Sequence, residues 1–196
     1  MEHETMTAEA AWQALLEGNR RYAAGTPAHP HQTVARRNEV VAGQHPFAIV
    51  LTCSDSRVPP EILFDQGIGD IFIIRTAGNI VDDVAIGSIE YAAEHLRVPL
   101  LVVLGHQKCG AIAATASGGE APGHIASIVK ILHPIVEEVR GRPGDIVENA
   151  VYANVRHLVA ALRSSQPILA HLVHEGRLQV VGAYYSLETG VVSPVE

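Results

Sequence analysis

Two cysteines and one histidine, far apart in the chain, form the set of residues best suited to chemistry. Cys53 lies in CSDSR (53–57), and His106 and Cys109 lie in GHQKCG (105–110); the chain has no other cysteine. Two thiolates and one imidazole can hold zinc, and three protein ligands leave one tetrahedral position for water or substrate. That open position separates a catalytic zinc from a structural one. The sequence therefore predicts a catalytic zinc site.

Asp55 and Arg57 follow Cys53 closely enough to act beside the same metal ion. Asp55 could accept a hydrogen bond from a metal-bound water, and Arg57 could hold that carboxylate ionised as a bidentate partner. A second role for Asp55 is also open, because it could turn towards the metal and occupy the fourth position itself. The simplest alternative is a turn aspartate in a weak ion pair with a surface arginine.

Strands alternate with helices along the chain, which is typical of an α/β domain around a mostly parallel sheet. Cys53 directly follows the first predicted strand and His106 the third. An order of 2-1-3-4 would bring both to the carboxyl ends of neighbouring strands, where sites form in open parallel sheets. A short extra strand is expected at the C-terminal edge. The predicted strands are FAIVLT (47–52), IFIIR (71–75), LLVVLG (100–105) and LQVVGAYYSL (178–187).

Helices flank this sheet in the predicted architecture. An amphipathic N-terminal helix is expected between Thr7, as its N-cap, and Gly25. We interpret residues 1–34 as an N-terminal helical arm with a polar linker, and 35–196 as the α/β zinc catalytic domain, within a single domain overall. The other predicted helices are 34–42, 83–97, 110–117, 122–140, 145–164 and 167–175.

Composition excludes several classes of protein. The chain has 196 residues, 47% of them hydrophobic, and a formal net charge of −7. An acidic chain lacks the basic surface that nucleic-acid binding needs. No apolar run approaches the roughly 18 residues of a membrane span. The acidic N-terminal residues do not fit a signal peptide. We therefore expect a cytoplasmic protein that binds neither nucleic acid nor membrane.

The segments around the three ligands resemble the β-class carbonic anhydrases. That resemblance implies one zinc ion per subunit, held by Cys53, His106 and Cys109, with Asp55 and Arg57 as the catalytic dyad. The implied activity is reversible hydration of carbon dioxide to bicarbonate by a zinc-bound hydroxide. The likeness covers nearly the whole chain, through CSDSRVPPE (53–61), GHQKCGA (105–111), RTAGN (75–79), GSIEYA (87–92), VVGAYY (180–185) and WQALLEGNRRY (12–22).

Four further residues match the substrate pocket of the plant-like branch of this family. Gln44, nine residues before Cys53, corresponds to a glutamine that donates a hydrogen bond to substrate. Phe72, nineteen residues after Cys53, corresponds to a phenylalanine that lines the pocket. Tyr91 corresponds to a tyrosine contributed across a subunit interface, and the backbone N–H of Gly110 to a donor to bicarbonate. The resemblance thus implies a homodimer or a dimer of dimers.

Three other functions are compatible with the same residues. A zinc hydrolase of this fold could act on another substrate, such as carbon disulfide. A regulatory protein could bind zinc without catalysis. A redox protein could form a Cys53–Cys109 disulfide, which would leave His106 without a role.

Overall fold

The computed structural model describes residues 6–119 and 121–196, and its centre is a five-stranded sheet. The strand order is β2-β1-β3-β4-β5; the first four strands are parallel, and the last pairs antiparallel with its neighbour. The predicted order, with its C-terminal edge strand, is therefore confirmed. The strands are β1 (Ala48–Cys53), β2 (Ile71–Thr76), β3 (Leu100–His106), β4 (Gln179–Tyr185) and β5 (Val192–Val195).

Helices cover both faces of the sheet. A short helix after β1 and a 3₁₀ turn over 77–79 were not predicted, and the expected helix over 83–97 changes to a π-helical turn at Tyr91–His95. No helix within the described ranges is both long and apolar enough to cross a membrane. The α-helices are α1 (Ala8–Ala23), α2 (Val34–Glu39), α3 (Pro60–Leu63), α4 (Asp83–Glu90), α5 (Gly110–Ser117), α6 (Ile125–Val139), α7 (Ile146–Arg163) and α8 (Ile168–His174).

The two central strands, β1 and β3, are buried along their whole length. Side chains alternate between the faces of a strand. Ile49 and Leu51 pack into the core under α4 and α7, whereas Val50 and Val102 pack into the core under α1. Burial on both faces explains why these strands are apolar at consecutive positions. It also gives the residues at the strand ends a rigid support.

Helix α1 packs against its own sheet. Its N-cap is Thr7, as predicted, whose hydroxyl accepts a hydrogen bond from the Ala10 N–H. Leu15 is fully buried. The buried Asn19 amide donates to the carbonyls of Leu63 and Gly190 at 3.0 and 2.8 Å, so it fastens the helix to α3 and to the turn before β5.

Two buried carboxylates hold the polar segment between α1 and α2 in place. Asp65 accepts hydrogen bonds from the backbone N–H groups of Ala28 and His29, each at 2.9 Å. Asp70 contacts the His31 ring at 2.7 Å. The segment is therefore fixed along the loop between α3 and β2, and it leads the chain into α2 and on towards β1.

We predict that Leu15→Ala lowers the free energy of unfolding by about 2–5 kcal/mol, because it leaves a cavity under α1. Denaturant unfolding at a fixed chain concentration measures this change. Gln13→Ala, on the exposed side of the same helix, should change the same quantity by about 0.5 kcal/mol or less. Equal small effects of both substitutions would mean that α1 does not pack on its own sheet.

Candidate metal centre

The ligand atoms of Cys53, His106 and Cys109 lie within 4.8 Å of one another, and all three residues are buried. Cys53 ends β1, His106 ends β3, and Cys109 immediately precedes α5. Because β1 and β3 are parallel neighbours, their carboxyl ends meet at one edge of the sheet. The fold thus brings the three predicted ligands together.

The His106 ring is oriented as a metal-bound imidazole would be. Its Nδ1 lies 2.9 Å from the Gln107 carbonyl oxygen, so Nδ1 carries the proton and Nε2 presents a lone pair. Nε2 is buried and has no hydrogen-bond partner among the residues that the structure describes. A buried polar atom without a partner costs free energy. A metal ion at Nε2 removes that cost, and the Nδ1 bond matches the outer partner of metal-bound histidines.

The two sulfurs interact strongly with each other. A hydrogen bond from the Cys109 thiol lowers the pKa of Cys53 to about 4, although burial opposes the shift. The same hydrogen bond, together with burial, raises the pKa of Cys109. Two sulfurs this close hold one proton between them unless a cation replaces it. Because a divalent cation would stabilise both thiolates, the donor set fits a zinc ion.

Asp55 and Arg57 form a bidentate pair beside this ligand set. Arg57 Nε donates to Asp55 Oδ1 at 2.9 Å, and Arg57 Nη2 donates to Oδ2 at 2.7 Å. These hydrogen bonds lower the pKa of Asp55 to about 2, against the opposing effect of burial. Asp55 Oδ2 lies 4.0 Å from His106 Nε2. An ionised carboxylate therefore stands next to the position that a metal would occupy.

Arg75 was not singled out by the sequence reasoning, but it fixes the backbone of the Cys53–Asp55 segment. Its Nε donates to the Cys53 carbonyl at 3.0 Å, and its Nη2 donates to the Asp55 carbonyl at 2.6 Å. Arg75 lies opposite Thr52 in the pairing of β1 with β2. The sequence signal that could have indicated Arg75 is a charged residue at the carboxyl end of a predicted strand.

Gly78 is a second residue that sequence reasoning missed. Its N–H donates to Cys53 Sγ at 3.3 Å. Its φ of +71° is a conformation that favours glycine, and an added Cβ would lie 2.8 Å from Leu132 Cδ1. The glycine is therefore needed where a backbone N–H must reach the sulfur.

Gly110 begins helix α5 directly after Cys109. The first N–H groups of a helix have no acceptor within the helix. They also carry the positive end of the helix dipole, which favours negative charge nearby. Gly110 is exposed, so its N–H is placed to donate to an anion at this edge of the sheet.

The structure does not bring Phe72, Tyr91 and Gln44 to the metal ligands of the same chain. Phe72 pairs with Ile49, four residues before Cys53, which is about 13 Å along the strand. The Tyr91 ring lies 6.4 Å from the Phe72 ring and is 47% exposed. Gln44 precedes β1 and is also exposed. All three lie towards the amino end of β1, away from Cys53.

A cavity of about 620 Å³ lies elsewhere, between α1, α7 and the β4–β5 edge. Its lining includes Trp12, Arg156 and Arg163 and contains none of the predicted site residues. This cavity therefore lies apart from the candidate metal centre.

Residues 48–192 match the protein-family model described as carbonic anhydrase. Carbonic anhydrase 2 of Mycobacterium tuberculosis is 43% identical over 185 residues, covering 92% of this chain and 89% of that protein. A carbonic anhydrase of Mycolicibacterium smegmatis is 44% identical over 189 residues, covering 93% and 91%. A solved structure from a study of two tetrameric β-carbonic anhydrases of Sordaria macrospora superposes with a TM-score of 0.76 at 28% identity, covering 94% of this chain and 96% of that one.

We predict that Arg57→Gln raises the pKa of Asp55 from about 2 towards its ordinary value of 3.8, because the bidentate donor is lost. Because the pKa of Asp55 is lower in the folded chain than in the unfolded chain, the ionised carboxylate stabilises the fold at pH values above 3.8. This contribution is lost as the pH falls towards 2. Carbon-13 NMR of the Asp55 carboxyl group in metal-free protein measures the shift. Arg140→Gln, which breaks a surface pair with Glu137, should leave it unchanged. If the pKa of Asp55 stays near 2 in Arg57→Gln, Arg57 is not the cause of the lowered pKa.

Proposed function

Because this chain belongs to the β-carbonic anhydrase family, we propose that it catalyses the reversible hydration of carbon dioxide to bicarbonate with one zinc ion per subunit. The observation that carries the proposal is the convergence of Cys53, His106 and Cys109 around the buried, unpartnered Nε2 of His106. An ionised Asp55, held by Arg57, stands beside them.

Cys53 and Cys109 would hold the zinc ion through their sulfurs, and His106 would hold it through Nε2. A zinc ion held there would lower the pKa of water and so would supply a hydroxide nucleophile near neutral pH. His106 keeps the required tautomer because the Gln107 carbonyl accepts its Nδ1 proton. The burial of all three ligands excludes competing solvent from the sulfurs and the ring.

Asp55 accepts a hydrogen bond from the nucleophile and so turns a lone pair towards the carbon of the substrate. With a pKa of about 2, Asp55 stays ionised at neutral pH. Arg57 donates hydrogen bonds to both carboxylate oxygens of Asp55. It also donates to the Lys108 carbonyl at 3.2 Å. This clamp favours the acceptor role over direct ligation of the metal, which would require the carboxylate to leave its partner.

Carbon dioxide carries no charge, so an apolar wall must place it beside the nucleophile. We assign this wall to Phe72 and Tyr91 of a second subunit, with the Gln44 amide as hydrogen-bond donor to a substrate oxygen. These residues lie too far from Cys53 to serve their own chain, whereas β2 is an edge strand and Tyr91 is exposed. The smallest active unit is then a homodimer, and a dimer of dimers would match the tetrameric relatives.

The Gly110 N–H donates a hydrogen bond to the oxygen on which negative charge develops as bicarbonate forms. Carbon dioxide becomes an anion during the reaction, and the N-terminus of α5 favours negative charge at that point. Preformed donors of this kind stabilise the transition state without having to reorganise.

A cytoplasmic location fits this chemistry. Both sulfurs must stay reduced to bind a metal ion, and reducing compartments prevent thiols from forming disulfides. A disulfide between Cys53 and Cys109 would remove two of the three metal ligands.

We predict that Cys109→Ala loses stoichiometric zinc and lowers the hydration rate by about 10³-fold or more. Zinc content and stopped-flow hydration of carbon dioxide are measured on the same preparations. Ser54→Ala, next to Cys53, is the matched control and should keep both.

The outcomes of that experiment separate the possible functions. Wild-type protein with zinc but no hydration would indicate a zinc-binding protein without this activity. Hydrolysis of carbon disulfide in place of hydration would move the activity to another substrate. Full activity of Cys109→Ala would contradict the ligand set.

We predict that two inactive variants restore activity when their subunits are mixed. Cys109→Ala chains retain the pocket wall, and Phe72→Ala/Tyr91→Ala chains retain the metal ligands. A mixed isologous dimer therefore contains one complete site, so an equal mixture should recover about a quarter of wild-type activity. Subunits are exchanged in mild denaturant, and hydration is then assayed. If both pocket residues serve their own chain, no activity returns.

A further inference from the structure

The turn over 77–79 packs against the sulfur of Cys53 and presents a backbone N–H to it. The donor is Gly78, and its nitrogen lies 3.3 Å from Sγ. A donor on a metal-bound thiolate withdraws electron density that the sulfur would otherwise give to the metal. The geometry of this turn therefore affects how strongly Cys53 donates.

One side chain from a distant helix holds the turn at its other end. Asn154, on α7, donates from Nδ2 to the Gly78 carbonyl oxygen at 3.0 Å. Asn154 is only 7% exposed, and its sequence neighbours Ala153 and Val155 are buried. Gly78 is thus tied on one side to the sulfur and on the other to α7.

A second buried amide, that of Asn79, ties the same turn to β3. Asn79 donates to the Leu104 carbonyl at 2.7 Å, and Thr52 donates to the same oxygen at 2.9 Å. Leu104 lies two residues before His106, so the turn is also tied to the strand that carries the imidazole. Asn154 and Asn79 therefore hold the chain on the carbonyl side of Gly78, directly after the peptide unit whose N–H faces the sulfur.

We propose that Asn154 is a positioning residue that sets the electron donation of Cys53 to the metal, because it holds Gly78 at its carbonyl oxygen while the N–H of the same residue faces the sulfur. The proposal rests on the proposed function only in that it requires a metal at Cys53, His106 and Cys109. A buried amide costs free energy unless it is hydrogen-bonded, and an apolar residue would pack among these neighbours at no such cost. The Asn154 amide holds the Gly78 carbonyl, and this restricts how far the adjacent peptide unit can turn its N–H away from the sulfur.

The hydrogen bond to Cys53 partly offsets the charge that two thiolates donate to a metal ion. Two thiolates give more charge to a metal ion than neutral imidazoles do, which makes water on that ion less acidic. The N–H bond to Cys53 removes part of this charge. With this hydrogen bond in place, a bound metal ion would be a stronger Lewis acid than one held by two thiolates that accept no hydrogen bond.

Cobalt substitution gives a readout that does not depend on carbon dioxide hydration. The thiolate-to-cobalt charge-transfer absorption reports the energy of the sulfur electrons. When the hydrogen bond from the Gly78 N–H to the sulfur is lost, these electrons rise in energy, so the band moves to longer wavelength.

We expect this shift in Asn154→Leu, which keeps the size of the side chain and removes the donor. Leu158→Ala, one turn further along α7 and 9% exposed, is the control: it should lose stability while its band stays at the wild-type position.

Each outcome decides the proposal. A folded, cobalt-loaded Asn154→Leu protein with an unmoved band overturns it, as does an equal shift in Leu158→Ala. If Asn154→Leu does not fold, Asn154→Ala is judged by the same criterion. If neither folds, Asn154 has a structural role and the proposal fails. Wild-type protein without a charge-transfer band would instead refute the metal site. A normal band without hydration would refute only the proposed activity.

Discussion

The parallel pairing of β1 with β3 is the constraint on which the site depends. Ile49 lies opposite Leu101 and Thr52 opposite Leu104, so the chain places Cys53 and His106 at the same edge of the sheet. Both strands are buried on both faces, and sliding one past the other would expose or misplace every core side chain that they carry. The separation of Cys53 and His106 is therefore set by the core, whereas Cys109 is placed by the turn that follows β3.

Charge is balanced around this edge by fixed donors. Two sulfurs and the Asp55 carboxylate bring negative charge to a buried place, which would be costly without compensation. Arg57 clamps Asp55, the Gly78 N–H faces Cys53, and the first turn of α5 begins beside Cys109. A divalent cation would complete the balance. In the proposed reaction, the same groups would also orient the nucleophile and stabilise the product anion.

Much of this arrangement could be predicted from the sequence, because the ligand segments directly follow recognisable strands. The strand order was predicted from the requirement that Cys53 and His106 meet, and the structure confirms both the order and the convergence. The supporting residues could not be predicted in the same way. Asn154 reaches Gly78 across 76 residues, and α7 also contains Asn149, so the sequence does not indicate which asparagine has this role. Similarly, the register of β2 determines how far Phe72 lies from Cys53, and periodicity does not specify register.

X-ray absorption at the zinc edge of purified protein tests the central claim most directly. The account predicts one zinc per chain with two sulfur neighbours at about 2.3 Å and light-atom neighbours, including one imidazole, at about 2.0–2.1 Å. One of the light atoms should come from an exchangeable solvent ligand. A zinc shell of four sulfurs, a shell without sulfur, or a folded protein that binds no zinc would contradict it.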